Sequence, residues 1–150
     1  MKTRMLLRKE VEAEPYWIWN AFVDLIATER YEELTPEQRP AHLAFWYDAE
    51  VQNGGHLQYF ENRGVERLDE TIHALDALGA PCHAKVLHEA GKAWQWRARG
   101  KLTSAAKFVE RARLGEFDVF DARFHACEPS VEACLERHLE LHRKYFVTIR

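Results

Sequence analysis

Apolar residues recur along this chain at spacings of three and four, with proline or a capping residue ahead of most runs and glycine behind several. Strict alternation, the mark of a half-buried strand, is absent, so the pattern predicts an all-α protein. Pro15 opens the first run, in which Ile18, Phe22, Leu25 and Ile26 share a stripe. Thr35-Pro36-Glu37-Gln38 reads as a second start, Thr35 as N-cap and Gln38 completing a capping box, with Pro40 deferring the regular helix to that point. That helix carries Leu43, Trp46, Tyr47 and Val51 inward and stops at Asn53-Gly54. A short third helix holds Leu57, Tyr59 and Phe60. The fourth sets Val65, Leu68, Ile72, Leu75 and Leu78 on one face and ends at Gly79; the fifth runs from Pro81 with Val86, Leu87, Ala90 and Trp94 inward. After Gly100 a sixth turns Phe108, Val109 and Ala112 to the interior, Phe117, Phe120 and Phe124 mark a seventh, and Pro129 opens the last, with Val131, Leu135, Leu139 and Phe146. Connections are short and no internal repeat is visible. The expectation is one domain over residues 1–150, a compact bundle of about six to eight helices, with 1–14 a candidate for a flexible or loosely packed N-terminal segment.

With 47% apolar residues the chain has the means to build a core. No apolar run reaches the ~18 residues a membrane span needs, and Met5-Leu6-Leu7 is broken by Arg8, Lys9 and Glu10 too early for a signal peptide. Cys82, Cys127 and Cys134 form an odd, sparse set, which favours reduced thiols and a cytoplasmic location. The net charge of −3 conceals an uneven layout. Pro15 to Ala80 holds twelve acidic residues against four basic, and Pro81 to Gly115 eight basic against two acidic. Either the chain presents two oppositely charged faces, fit to steer a partner or a second copy, or both sets merely solvate helix exteriors.

Candidate chemistry is thin. Cys134, His138 and His142 lie four apart on one face of the last helix, where a transition metal could take two of them, with His125 or Cys127 completing a site. The spacing lacks the glutamate of a metalloprotease HExxH helix, and the competing reading is histidines at the margin of a packed face. Asp48 with Glu50, or Asp118 with Asp121, supply carboxylate pairs that acid–base work would require in one cleft; on amphipathic helices such residues are more simply the wet side. The basic stretch 85–113, with Trp94, Trp96, Arg97, Arg99 and Lys101, admits a weak nucleic-acid reading, which the overall acidity disfavours. Neither GxGxxG nor GxxxxGK[ST] surrounds the glycine pair, and no cofactor is expected.

The densest feature is Glu50-Val51-Gln52-Asn53-Gly54-Gly55, followed by Gln58-Tyr59-Phe60 and Asn62. It resembles a bacterial helical family of unknown function named after a DNA-mimic protein. The likeness continues through Thr71 to Ala80 and through Phe117-Asp118 to Phe124, so it spans most of the chain after Thr35. The resemblance implies an all-helical fold, dimers in some members, no known catalysis, and a role in occupying a transcription factor's DNA-binding surface. Glu50, Asn53, Gly54, Gly55, Gln58, Tyr59, Phe60 and Asn62 read as architectural: Asn53 and Gln58 satisfying buried backbone groups, the glycines allowing a close helix crossing.

These readings lead to a non-enzymatic module that masks another protein, either a basic DNA-binding regulator or a toxin or effector neutralised by an immunity protein. Its binding face is expected in the acidic half, through Glu29, Glu32, Glu33, Glu37 and Asp48. Alternatives are a metal-binding or hydrolase-like enzyme using Cys134, His138 and His142, and the nucleic-acid binder.

Overall fold

Proline and glycine divide the chain much as the pattern suggests, and a computed structural model describes all 150 residues. Short α1 (Arg8–Ala13) buries nothing; α2 (Trp17–Thr28) starts two residues past Pro15 and buries Phe22, Leu25 and Ile26 completely. Then come α3 (Arg39–Arg63), α4 (Leu68–Ala77), α5 (Pro81–Gln95), α6 (Ala105–Ala112), α7 (Asp118–Ala126) and α8 (Val131–His142). Pro81 sits in the first turn of α5, and serines 104 and 130 cap α6 and α8 by accepting from the Lys107 and Ala133 N–H groups. The all-α expectation holds, since the rest is turns and one small sheet. No helix is long and apolar enough to cross a membrane.

That sheet was not legible in the sequence. Strand β1 (Arg4–Leu6) pairs in parallel with β2 (Val147–Ile149), Met5 opposite Thr148. Three residues per strand leave no room for a readable alternation. Gln38 fastens this junction: its side chain is wholly buried, and its Nε2 donates to the carbonyls of Lys2 (2.7 Å) and Tyr145 (2.6 Å). Its Oε1 accepts from the Thr35 N–H at 3.0 Å, so the predicted capping box is half formed, and Thr35 Oγ1 is buried without a partner.

The core lies between α2, both ends of α3, α4, α5, α7 and α8, and aromatic rings dominate it. Tyr47 meets Tyr59 and Phe124 edge-on at 5.1 and 5.5 Å, and Phe22 meets Phe146 at 4.8 Å. Two expectations fail here. Helix α6 buries nothing completely: of the three residues expected inward, Val109 and Ala112 are exposed and Phe108 is half covered, packed against the edge of the core. The cysteines are not all reduced. Cys82, in the first turn of α5, and Cys127, at the end of α7, have Cα atoms 5.6 Å apart and form a disulfide, leaving Cys134 as a buried thiol. Their separation of 45 residues hid this pairing, and cysteine usage therefore carries no argument for the cytosol.

Candidate functional site

Helix α3 is two arms, 39–53 and 56–63, joined at Gly54 (φ −149°, ψ 22°) and Gly55 (φ 71°, ψ −174°). Seventeen residues of straight helix would separate Trp46 from Arg63 by about 25 Å. Instead the Arg63 guanidinium lies 4.0 Å from the centre of the Trp46 ring, so the chain doubles back. Glu50 holds the two arms together. Buried on the first arm, its Oε2 accepts from Asn62 Nδ2 at 2.7 Å and Gln58 Nε2 at 3.2 Å on the second. Asn53 Nδ2 in turn donates to Gln58 Oε1 at 3.0 Å. The amides thus satisfy one another and a carboxylate, not the backbone groups expected from sequence. Tyr59 and Phe60 of the same motif are core residues.

A second lock comes from α7. Asp121 Oδ1 accepts from the His56 backbone N–H at 2.9 Å, capping the second arm where it starts, and lies 2.7 Å from His56 Nδ1. With Nδ1–H donating to that carboxylate, His56 Nε2 accepts from the Tyr47 hydroxyl at 2.8 Å. Burial, followed by the charges of Tyr59 and Asp121, holds the Tyr47 phenol well above its usual range. The Asp–His–Tyr chain has the chemistry of a proton relay; His56 and Tyr47 are both 0% exposed, and only its Asp121 end is part-exposed, on a small cleft. It joins α3 to α7. Sequence reading missed His56 here, and its only signal was a histidine directly after two glycines. Of the carboxylate pairs, Asp118 and Asp121 line one small cleft beside Gly54, with Asp121 already bonded to His56, while Glu50 is committed to the amides of the second arm.

The histidines of α8 do not make a metal site. His138 and His142 rings stand 4.6 Å apart, but Cys134 turns away to donate to the Gly79 carbonyl, and no group of three or more His, Cys, Asp or Glu side chains is placed to hold an ion. His138 Nε2 is buried without a partner. Burial, with a contribution from His142, lowers its pKa from 6.5 to about 4. A histidine that resists protonation in the fold stabilises it above pH 6.5, and that stability drains away as pH falls from 6.5 towards 4, where the unfolded chain takes up the proton first. Burial lowers His42 and His83 in the same direction. Thermal unfolding should therefore show a melting temperature that declines across this window, with a shallower decline in His138→Leu.

Much of the charge is spent internally. Glu29 faces Lys2 (2.8 Å) and Arg4 (3.0 Å), Glu32 faces Arg67 (3.2 Å), and Glu33 faces Lys2 and Arg30 (both 3.0 Å). Hydrogen bonds from Lys2 and Arg30 bring the Glu33 carboxyl down to about 2. Glu37 is exposed and forms no ion pair. In the basic stretch, Arg97 and Arg99 converge on Glu116, and Arg99 covers the Trp94 face at 4.4 Å, so that ring is no platform for a base. Glu132, Glu136 and Glu140 repeat every four residues along α8 and, like Glu37, are exposed and meet no cation of their own chain; Glu128, exposed and equally free, stands just ahead of the helix, before Pro129 and the capping Ser130. Asp48 adjoins the row, since its carboxyl is raised first by burial and further by the charge of Glu132.

A family model described as DMP19-like protein matches residues 32–146, which include the whole of α3 and α8. No curated protein and no solved structure matches the chain.

Proposed function

The chain belongs to the DMP19-like family, and we propose on that footing that it is a non-enzymatic protein-binding module that lays carboxylates against a basic surface of another protein and masks it. The observation that carries this reading is the unpaired row Glu132, Glu136 and Glu140 along α8, with Glu128 just ahead of the helix. Along a helix, residues four apart rise about 6 Å. One DNA strand carries a charge about every 3.4 Å of axis, so the row has roughly the charge of every second phosphate, with Asp48 adding to it. The partner best suited is a DNA-binding regulator, whose cationic surface is built to accept such a row. Glu29, Glu32 and Glu33 already have cations of their own chain and contribute little field to a partner. Pro15, Ile18, Trp19 and Leu139 form a shallow groove beside Glu136 and Glu140 and supply apolar contact next to the charges.

The test is capture of a defined partner. The regulator retained by the wild-type chain should be released by duplex DNA and by raised salt, and its retention should fall about tenfold or more in the triple variant Glu132→Lys, Glu136→Lys, Glu140→Lys. Retention by that variant at the wild-type level, or indifference to competing DNA, would sink the reading.

A further inference from the structure

The fold-back of α3 has a second consequence. Between its two arms, the end of α2 and the start of α4 lies an open cleft of about 440 Å³, within the usual size range of small-ligand sites. Its walls are neither apolar nor indifferent: His42, Trp46, Tyr59, Asn62, Arg63 and Arg67 all face it. None of them belongs to α8, so the cleft is separate from the carboxylate row.

The state of the cations decides what it suits. Arg67 is engaged on every side, with Glu32 at 3.2 Å, Glu70 at 3.6 Å and the Tyr31 ring centre at 3.6 Å. Arg30 bonds Glu33 at 3.0 Å. Arg63 is different. Trp46 supports one face of its guanidinium, and its ion pair with Glu50 is loose: Oε1 is 3.8 Å away, beyond hydrogen-bond reach, while Oε2 accepts from Asn62 and Gln58. Its N–H edge makes no hydrogen bond within the protein, and the stacked ring fixes the plane in which that edge is offered. Two acceptors stand on the same walls. Asn62 uses its Nδ2 on Glu50, leaving Oδ1 free, and His42 Nδ1–H donates to the Ile26 carbonyl at 2.7 Å, leaving Nε2 with its lone pair. One planar cation that forms no hydrogen bond of its own, beside two free acceptors, is the complement of a molecule with one anionic head and a hydrogen-bond donor on its body.

We propose that this cleft binds a small organic anion, its carboxylate or phosphate on the Arg63 guanidinium and its donor-bearing body against His42 and Asn62. Glu66, exposed and without a cation of its own, also lines the cleft and holds its charge against the binding of anions.

The probes are 4-hydroxybenzoate for the carboxylate head, phenyl phosphate for the phosphate head, and 4-hydroxybenzyl alcohol as an uncharged control, each titrated into the full chain and followed by proton–nitrogen NMR. At least one acid should give saturating shifts at the Trp46 indole N–H and the Arg63 Nε–H, and the alcohol none; whichever acid binds tighter identifies the head group. Arg63→Gln should weaken binding about tenfold. Because Arg63 also lies near buried Glu50, a second variant carries the opposite sign on a surface position: Glu66→Lys should tighten binding several-fold. Absence of any saturating shift with both acids, shifts spread over the surface that are equal in both variants, or weaker binding in Glu66→Lys would overturn the proposal.

Discussion

Gly55→Ala is expected to cost about 4 kcal/mol of folding stability, a fall of roughly 10–15 °C in melting temperature for a domain of this size. Two causes add. With φ at 71° and ψ at −174°, Gly55 occupies backbone space that other residues enter only with about 1–3 kcal/mol of strain. A methyl group built there would also lie 2.4 Å from Asp121 Oδ2, so the carboxylate must withdraw. Its withdrawal uncaps the second arm of α3 and leaves the His56 N–H and Nδ1–H without their acceptor in a buried site. Gly64 separates the two causes. It has φ 62° and ψ −152°, but a methyl there meets nothing within 4 Å, so Gly64→Ala should show the strain alone. In the double variant Gly55→Ala, Asp121→Ala the clash is gone, and the combined cost should fall short of the sum of the single ones. Denaturant midpoints of the wild-type chain, Gly55→Ala, Gly64→Ala, Asp121→Ala and the double variant check this. Equal costs for Gly55→Ala and Gly64→Ala would mean that Asp121 does not hold the fold-back.

The glycine pair was visible in the sequence as a break, and so were the helices on either side, because glycine and helical periodicity are local signals. What the break accomplishes was not visible. That α3 reverses depends on Glu50 reaching Asn62 and on Asp121 reaching His56, contacts across 12 and 65 residues that no spacing rule encodes. The same limit explains the acidic residues. Glu29, Glu32 and Glu33 look like an exposed acidic cluster when counted along the chain, and lose that character only when Lys2, Arg4 and Arg67 fold against them. The α8 row was present at regular spacing, but that its carboxylates keep no cation of their own chain only the folded arrangement establishes. The disulfide and the β1–β2 pair escaped for the same reason: each joins distant segments too short to carry a pattern.

Glu50 offers the sharpest separation of architecture from chemistry. Glu50→Ala should destabilise the chain by about 3 kcal/mol, because the Asn62 and Gln58 amides then lose the charged acceptor that ties both to the first arm. Glu50→Gln retains one acceptor oxygen and should lose only about 1 kcal/mol, with the amide turning its oxygen to Asn62. If the carboxylate were a base or a ligand group, the order would invert: the isosteric amide would be the damaging change to function while leaving stability almost intact. Denaturant unfolding gives the stabilities, and the Arg63 Nε–H resonance reports the fold-back directly, since its guanidinium rests on the Trp46 ring and carries that ring's current shift. In Glu50→Ala the resonance should move towards its free-arginine position as the arms part, and in Glu50→Gln it should stay. A Glu50→Ala chain that is as stable as wild type, with the Arg63 signal unmoved, would show that the glycines alone set the reversal and that the buried carboxylate is kept for something other than holding the two arms.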